Sequence, residues 1–194
     1  MNQKRMDIYV LAAVALMIAL VFVCSYFLAI PIPTPIDKTK LHMGNVMCLL
    51  GALLLEKWKG GLAAGFGSLI VDLVTPGWAA TCWITFINKF LMAFICGLIV
   101  YGFVTKKNRK PKTWRLILGT VVGALSYVAL YLSSDAIKNF VLGWATETIF
   151  ATMLANSVAS LINAAIAVPV ALLLYAALRP ALKRAGFSER MGLL

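Results

Sequence analysis

Residues 46–55, VMCLLGALLL, and residues 62–74, LAAGFGSLIVDLV, flank Glu56-Lys57-Trp58-Lys59-Gly60-Gly61. How this region is read decides the fold. Each apolar run is shorter than the roughly 20 residues that a helix needs to cross a hydrocarbon core of about 30 Å. Read as two short helices joined by a tight turn, the region adds two spans; the other reading is one re-entrant hairpin that does not cross fully. Both place Glu56–Lys59 on the side opposite the 31–40 segment. Short, glycine-interrupted membrane segments mark binding sites in transporters.

The rest of the chain contains four longer apolar stretches, at about residues 8–30, 82–104, 114–134 and 147–178. The first is ended by Pro31, Pro33 and Pro35, and the last contains Pro169, which predicts a tilt or kink. With the two short segments at about 44–56 and 60–75, the expectation is an all-α membrane protein of six transmembrane helices, in one integral membrane domain over residues 1–194. Composition agrees. Hydrophobic residues make up 62% and charged residues 13%, against roughly 45–50% and about 25% in ordinary globular chains.

Six spans put both termini on one side, and the 18 Lys and Arg residues then divide unevenly. Lys38, Lys40 and Lys138 fall outside, Lys89 lies within the membrane, and the others fall inside, concentrated in the basic loop from Lys106 to Arg115. This asymmetry makes both termini cytoplasmic. It also accounts for the net charge of +11 without nucleic acid as a partner. Trp78, Trp83 and Trp144 then lie near the outer interface, and Trp58 and Trp114 near the inner one. Cys24, Cys48, Cys82 and Cys96 have no metal-like spacing and read as small buried hydrophobes. With a single histidine, a His-based metal site has no support, and no metal or cofactor is expected. The first apolar run has no clear cleavage site and reads as a membrane helix rather than a signal peptide.

Polar residues within apolar spans are costly and so mark sites. Lys89, beside Asn88, sits about two turns inside the fourth span, and Asp72 lies at a similar depth. Two readings follow: an Asp72–Lys89 pair that only holds helices together, or a Lys89 that faces a ligand cavity. His42, Gly44 and Asn45 form a polar cluster, in which Asn45 is placed to cap the second helix and Gly44 to let the backbone approach a ligand. Thr152, Asn156, Ser160 and Asn163 share one face of the last helix; Asn156 is the expected pocket residue and Asn163 the expected interhelical tie. Tyr127, Tyr131 and Ser134 form a matching stripe on the preceding helix, either as packing or as a wall for a flat, polar-edged molecule. Ala12, Ala15 and Ala19 on the first helix include an AxxxA pair, a face that lets another helix approach closely.

The run Leu41-His42-Met43-Gly44-Asn45-Val46, through Gly60-Gly61-Leu62-Ala63-Ala64-Gly65-Phe66-Gly67-Ser68 to Asp72-Leu73, together with Ala15 and Ala19 and the six-span plan, resembles the substrate-binding S components of energy-coupling factor (ECF) vitamin transporters. The His-Met-Gly-Asn form is most similar to the riboflavin-type branch, which also holds pyridoxine-type and unassigned members. The resemblance implies a subunit of an ABC importer in a bacterial cell membrane, with no enzymatic activity of its own; the chain has no Walker A motif. It implies capture of a B-type vitamin or precursor (riboflavin-, pyridoxine- or pantothenate-like) from outside. Partners would be a membrane T component, reached through Ala12, Ala15 and Ala19, and two ATPase subunits. Matching pocket positions lie in the 31–42 and 75–82 segments and at the 144–147 turn, so the substrate-binding set is His42, Asn45, Asp72, Trp78, Asn88, Lys89, Tyr127, Tyr131, Trp144, Glu147 and Asn156. If Lys89 is unpaired, an anion such as pantothenate is favoured; if Asp72 neutralises it, a neutral ring compound is. The alternatives are a self-contained carrier or channel, for which internal repeats are lacking, and an intramembrane enzyme, for which a nucleophile is lacking.

Overall fold

The computed structural model describes residues 3–33, 38–102 and 111–186. Pro35 and, among the basic residues placed inside, Lys106, Lys107, Arg109, Lys110 and Arg190 lie outside the described residues. Among the described residues there are five α-helices: α1 (Gln3–Tyr26), α2 (Gly44–Val74), α3 (Cys82–Tyr101), α4 (Thr113–Val141) and α5 (Thr146–Arg184). The strands β1 (Ala29–Pro33) and β2 (Lys38–His42) form an antiparallel hairpin between α1 and α2, and a short 3-10 turn (Ala79–Thr81) precedes α3.

Two expectations change. The fold is not purely helical, because the end of the expected first span is a strand. Ile30 and Ile32 favour extended backbone, and Pro31 and Pro33 cannot donate in a helix, so α1 stops at Tyr26. The count is also five helices rather than six, because the expected second and third are limbs of α2. The limbs meet at Glu56, whose φ of 66° and ψ of −177° are not helical. That region of backbone space is open essentially to glycine alone. The chain folds back there: a Cβ placed on Gly60 would lie 2.7 Å from the Ala52 Cα, whereas in a straight helix these residues would be about 12 Å apart. Only a glycine allows this approach.

The bend frees a backbone carbonyl that a neighbouring side chain takes up: the Tyr101 hydroxyl donates to the Leu53 carbonyl. A buried carbonyl left without a donor would cost about 1–3 kcal/mol, so this contact helps make a one-residue turn tolerable. Just past the bend, the Lys57 ammonium donates to the Gly102 carbonyl at the end of α3 (3.0 Å) and ties the two helices together.

α4 also runs two turns beyond the expected end at residue 134. Asp135, Lys138 and Asn139 look like a loop, but Asp135 and Asn139 are buried on the inner face of the helix.

The first limb of α2 is the centre of the molecule. Val46, Cys48, Leu49, Ala52, Leu53 and Leu55 are all at most 1% exposed, enclosed by α1, α3, α4 and α5. Outside, the surface is apolar, with Leu11, Leu16, Phe140, Phe150, Leu154 and Leu173 all more than 60% exposed. Inside are Asn45, Asp72, Asn88, Lys89, Asn139 and Asn156, all buried. Apolar outside and polar inside suits lipid rather than water as the solvent. Among the described residues, four helical segments are long and apolar enough to cross a membrane: Ile8–Tyr26, Ala79–Tyr101, Thr113–Val141 and Thr146–Arg184. Cys24, Cys48 and Cys96 are buried and Cys82 is half-buried; all four are free thiols.

Candidate functional site

The hairpin, the C-terminal end of α2, the start of α3 and the middles of α4 and α5 enclose a polar cavity. Its lining includes Lys40, His42, Asp72, Trp78, Asn88 and Lys89, joined by Tyr127, Tyr131 and Asn163. The small hydroxyls of Ser25, Thr39, Ser68, Thr85 and Ser160 complete the wall.

Lys89 is 3% exposed. A lone ammonium at this depth costs a few kcal/mol on insertion scales. Two contacts offset that cost. The ammonium donates to the Asn45 side-chain oxygen and lies 3.7 Å from the centre of the Tyr127 ring, a cation–π contact worth up to about 2 kcal/mol when desolvated. Among the described residues no Asp72–Lys89 ion pair forms. Asp72 instead meets the Thr85 hydroxyl and acts on Lys89 and Lys40 through longer-range charge. Asn88 donates to Ser134 (3.0 Å), and the Tyr127 and Tyr131 rings stack at 5.9 Å.

His42 is held neutral. Its Nδ1 accepts the Gly44 N–H (3.1 Å), which puts the proton on Nε2. Burial, and then the Lys89 and Lys40 ammonium groups, hold the imidazole well below its ordinary range. Burial likewise lowers Lys40, partly countered by Asp72, and the Lys40 ammonium lies 4.0 Å from the centre of the Trp78 ring. Gly44 proves necessary for packing rather than for ligand approach: a Cβ there would fall 1.8 Å from the Ser25 hydroxyl. Asn45 does not cap α2, because Met43 occupies that position without a side-chain cap.

The structure therefore brings His42, Asp72, Trp78, Asn88, Lys89, Tyr127 and Tyr131 to one cavity, with Asn45 directly behind Lys89. It does not bring Trp144, Glu147 or Asn156 there. Trp144 and Glu147 lie exposed at the α4–α5 turn. Asn156 donates to Asp135 (2.9 Å), which also meets Lys138 (3.0 Å) and Asn139 (3.3 Å). This separate polar cluster ties α4 to α5.

Asn156 is thus a tie rather than a cavity residue, whereas Asn163 is both a tie, to β2 rather than to another helix, and part of the cavity wall. Asn163 lines the cavity, where it accepts the His42 N–H (3.0 Å) and donates to the Lys40 carbonyl (2.8 Å). Thr39 and Lys40 lie in the 31–42 segment expected at the pocket but were not singled out within it, and Ser25, Ser68 and Thr85 are lining residues that the sequence did not point to. Their signal was available only in part, as polar residues flanking apolar runs. The Ser25 hydroxyl is buried with no hydrogen-bond partner among the described residues.

Ala12, Ala15 and Ala19 lie away from the cavity, on the exposed face of α1, while Met17, Val21 and Cys24 face the core.

Residues 5–180 match the family of the ECF-type riboflavin transporter S component. A Pyrococcus woesei protein described as an uncharacterized protein in the gap 3' region is 32% identical over 103 residues. The match covers 53% of this chain and 63% of that protein, so the chain spans less than two thirds of its relative's length. No solved structure matches.

Proposed function

Because the chain belongs to the ECF-type riboflavin transporter S component family, we propose that its polar cavity captures a B-type vitamin or precursor from outside the cell membrane, with a flat, acceptor-rich ring as the favoured chemistry. The observation that carries this reading is the Lys89 ammonium among ring faces. An ammonium has three N–H donors, and Asn45 takes one of them, so donors remain for carbonyl or ring-nitrogen acceptors. Lys40 and Asn88 add further donors on the same wall. Trp78, Tyr127 and Tyr131 offer faces on which a ring can stack. With His42 neutral, Lys40 and Lys89 outweigh Asp72, so the lining is net cationic. That favours acceptor-rich or anionic ligands over cationic ones. A riboflavin-like ring satisfies both the stacking and the donors; pantothenate satisfies only the donors, and pyridoxine presents fewer acceptors.

The remaining parts of the reading follow from family membership and the charge pattern. Both termini face the cytoplasm, and the two limbs of α2 act as short second and third crossings. The exposed Ala12, Ala15 and Ala19 face meets a membrane T component that carries two ATPases, and the energy for uptake comes from those partners. The reading is one of binding rather than catalysis, as family membership implies.

Mass spectrometry of small molecules released on denaturing the detergent-purified protein tests the substrate class. Recovery of a stoichiometric vitamin or precursor supports it. An empty protein whose melting temperature is unmoved by riboflavin, pyridoxine and pantothenate overturns it.

A further inference from the structure

Proline has no N–H, and the hairpin register makes use of this. Pro31 pairs with Lys40 and Pro33 with Lys38, so these are the pairs that exchange no ladder bonds, and the bonds run through Ile30–Leu41 and Ile32–Thr39. In an antiparallel pair the alternate residues turn their N–H and C=O groups away from the partner strand. Lys40 and His42 therefore present an open strand edge on the side away from β1. Such an edge is a template for another hydrogen-bonding backbone. Here one side chain takes that place. The Asn163 carboxamide accepts the His42 N–H and donates to the Lys40 carbonyl, the same two bonds that a neighbouring strand would make. A carboxamide offers a donor and an acceptor on neighbouring atoms in this way; an ionised Asp has acceptors only, Ser has both functions on one atom, and Leu has neither.

The consequence concerns access. The clamped strand carries Thr39, Lys40 and His42 into the cavity wall, and the Lys40 ammonium lies over Trp78 from the α2–α3 turn. Movement of β2 away from α5 would withdraw three lining residues together. Asn163 is only 8% exposed and sits six residues before Pro169 on α5, which ties the hairpin to the middle of the longest helix.

We propose that Asn163 is a positioning residue that holds the hairpin closed over the cavity, and so sets how fast ligand enters and leaves. The proposal rests on the substrate-binding reading for its functional part, but the clamp itself is testable without any ligand.

Hydrogen–deuterium exchange of the full-length, detergent-purified chain is the first test. Losing one ordinary hydrogen bond shifts an opening equilibrium by roughly fivefold, so losing both in Asn163→Leu should speed exchange across residues 39–42 by about tenfold or more. Exchange in residues 46–55 should not change. Asn163→Asp keeps the acceptor for the His42 N–H and loses the donor to Lys40, and it should give an intermediate rate. It also serves if the leucine variant fails to fold. Unchanged exchange at 39–42 in a folded variant overturns the proposal. Stopped-flow fluorescence quenching with riboflavin is the second test. Association and dissociation rates should rise together, because a looser lid speeds both. A faster dissociation with unchanged association would show a lost ligand contact instead, and would overturn the positioning role. If riboflavin gives no signal with the unsubstituted protein, the riboflavin reading fails while the exchange data still decide the clamp.

Discussion

Replacing Lys89 with methionine removes one charge and keeps nearly the same volume. In the folded protein this deletes the hydrogen bond to Asn45 and the contact 3.7 Å from the Tyr127 ring centre. Asn45 is 1% exposed, so its side-chain oxygen would be left buried and unpaired, at a cost of about 1–3 kcal/mol. Relief of the ammonium's own desolvation, a few kcal/mol at membrane depth, works in the opposite direction. Net stability should therefore change little. Ligand affinity has no such compensation: a lost charge-assisted contact is worth about 1.5–3 kcal/mol, or roughly 10- to 150-fold in Kd. The assay is titration of the Lys89→Met protein, in detergent, with whichever of riboflavin, pyridoxine or pantothenate raises the melting temperature of the unsubstituted protein. An affinity within threefold of the original, together with a clearly lower melting temperature, would refute the reasoning. Lys89 would then be a structural tie for Asn45 and Tyr127 and not a ligand donor.

Ala15→Trp places a large ring on the exposed face of α1, away from the cavity, so ligand binding in detergent should persist while uptake by cells carrying the ECF partners is abolished; loss of both together would argue for a self-contained carrier. Glu56→Gly removes the penalty of φ 66°, about 1–3 kcal/mol for a strained non-glycine residue, against roughly 0.5–1 kcal/mol of added chain entropy, so thermal unfolding should show a modest gain; a clear loss would mean that the Glu56 carboxylate itself supports the bend. His42 is depressed in the fold, so the unfolded chain binds its proton first. Stability should accordingly fall as pH drops below about 6.5 and continue falling toward the lower folded value, and His42→Asn should flatten that part of a melting-temperature-against-pH curve; an unchanged slope would place the titration elsewhere.

Periodicity and hydropathy are local properties, and they were enough for the long helices, the apolar exterior and the two-limbed region around Glu56. Even the buried placement of Lys89, Asn88 and Asp72 was legible, since a polar side chain in an apolar span has few tolerable positions. The hairpin was missed because prolines announce only the end of a helix. Whether the chain then pairs with itself depends on residues 38–42, whose alternation is too short to read. The last two turns of α4 were missed because Asp135, Lys138 and Asn139 have loop-like composition, and only their packing against Asn156 makes them helical and buried.

The cavity's membership depended on distances between helices that are far apart in the chain. Asn156 and Asn163 lie on the same stripe of α5, seven residues and about two turns apart. Nothing along the helix says which meets α4 and which meets β2. That was decided by where the hairpin lands, and the hairpin lands where its open edge finds a carboxamide. The greasy, charge-asymmetric chain thus determined a membrane bundle with polar residues inside. Tertiary packing decided which of those residues face a ligand, which bind one another, and that Lys89 meets Asn45 and Tyr127 rather than Asp72. The physical reason is range: burial preference acts residue by residue, whereas hydrogen bonds at about 3 Å need partners that only the assembled fold brings together.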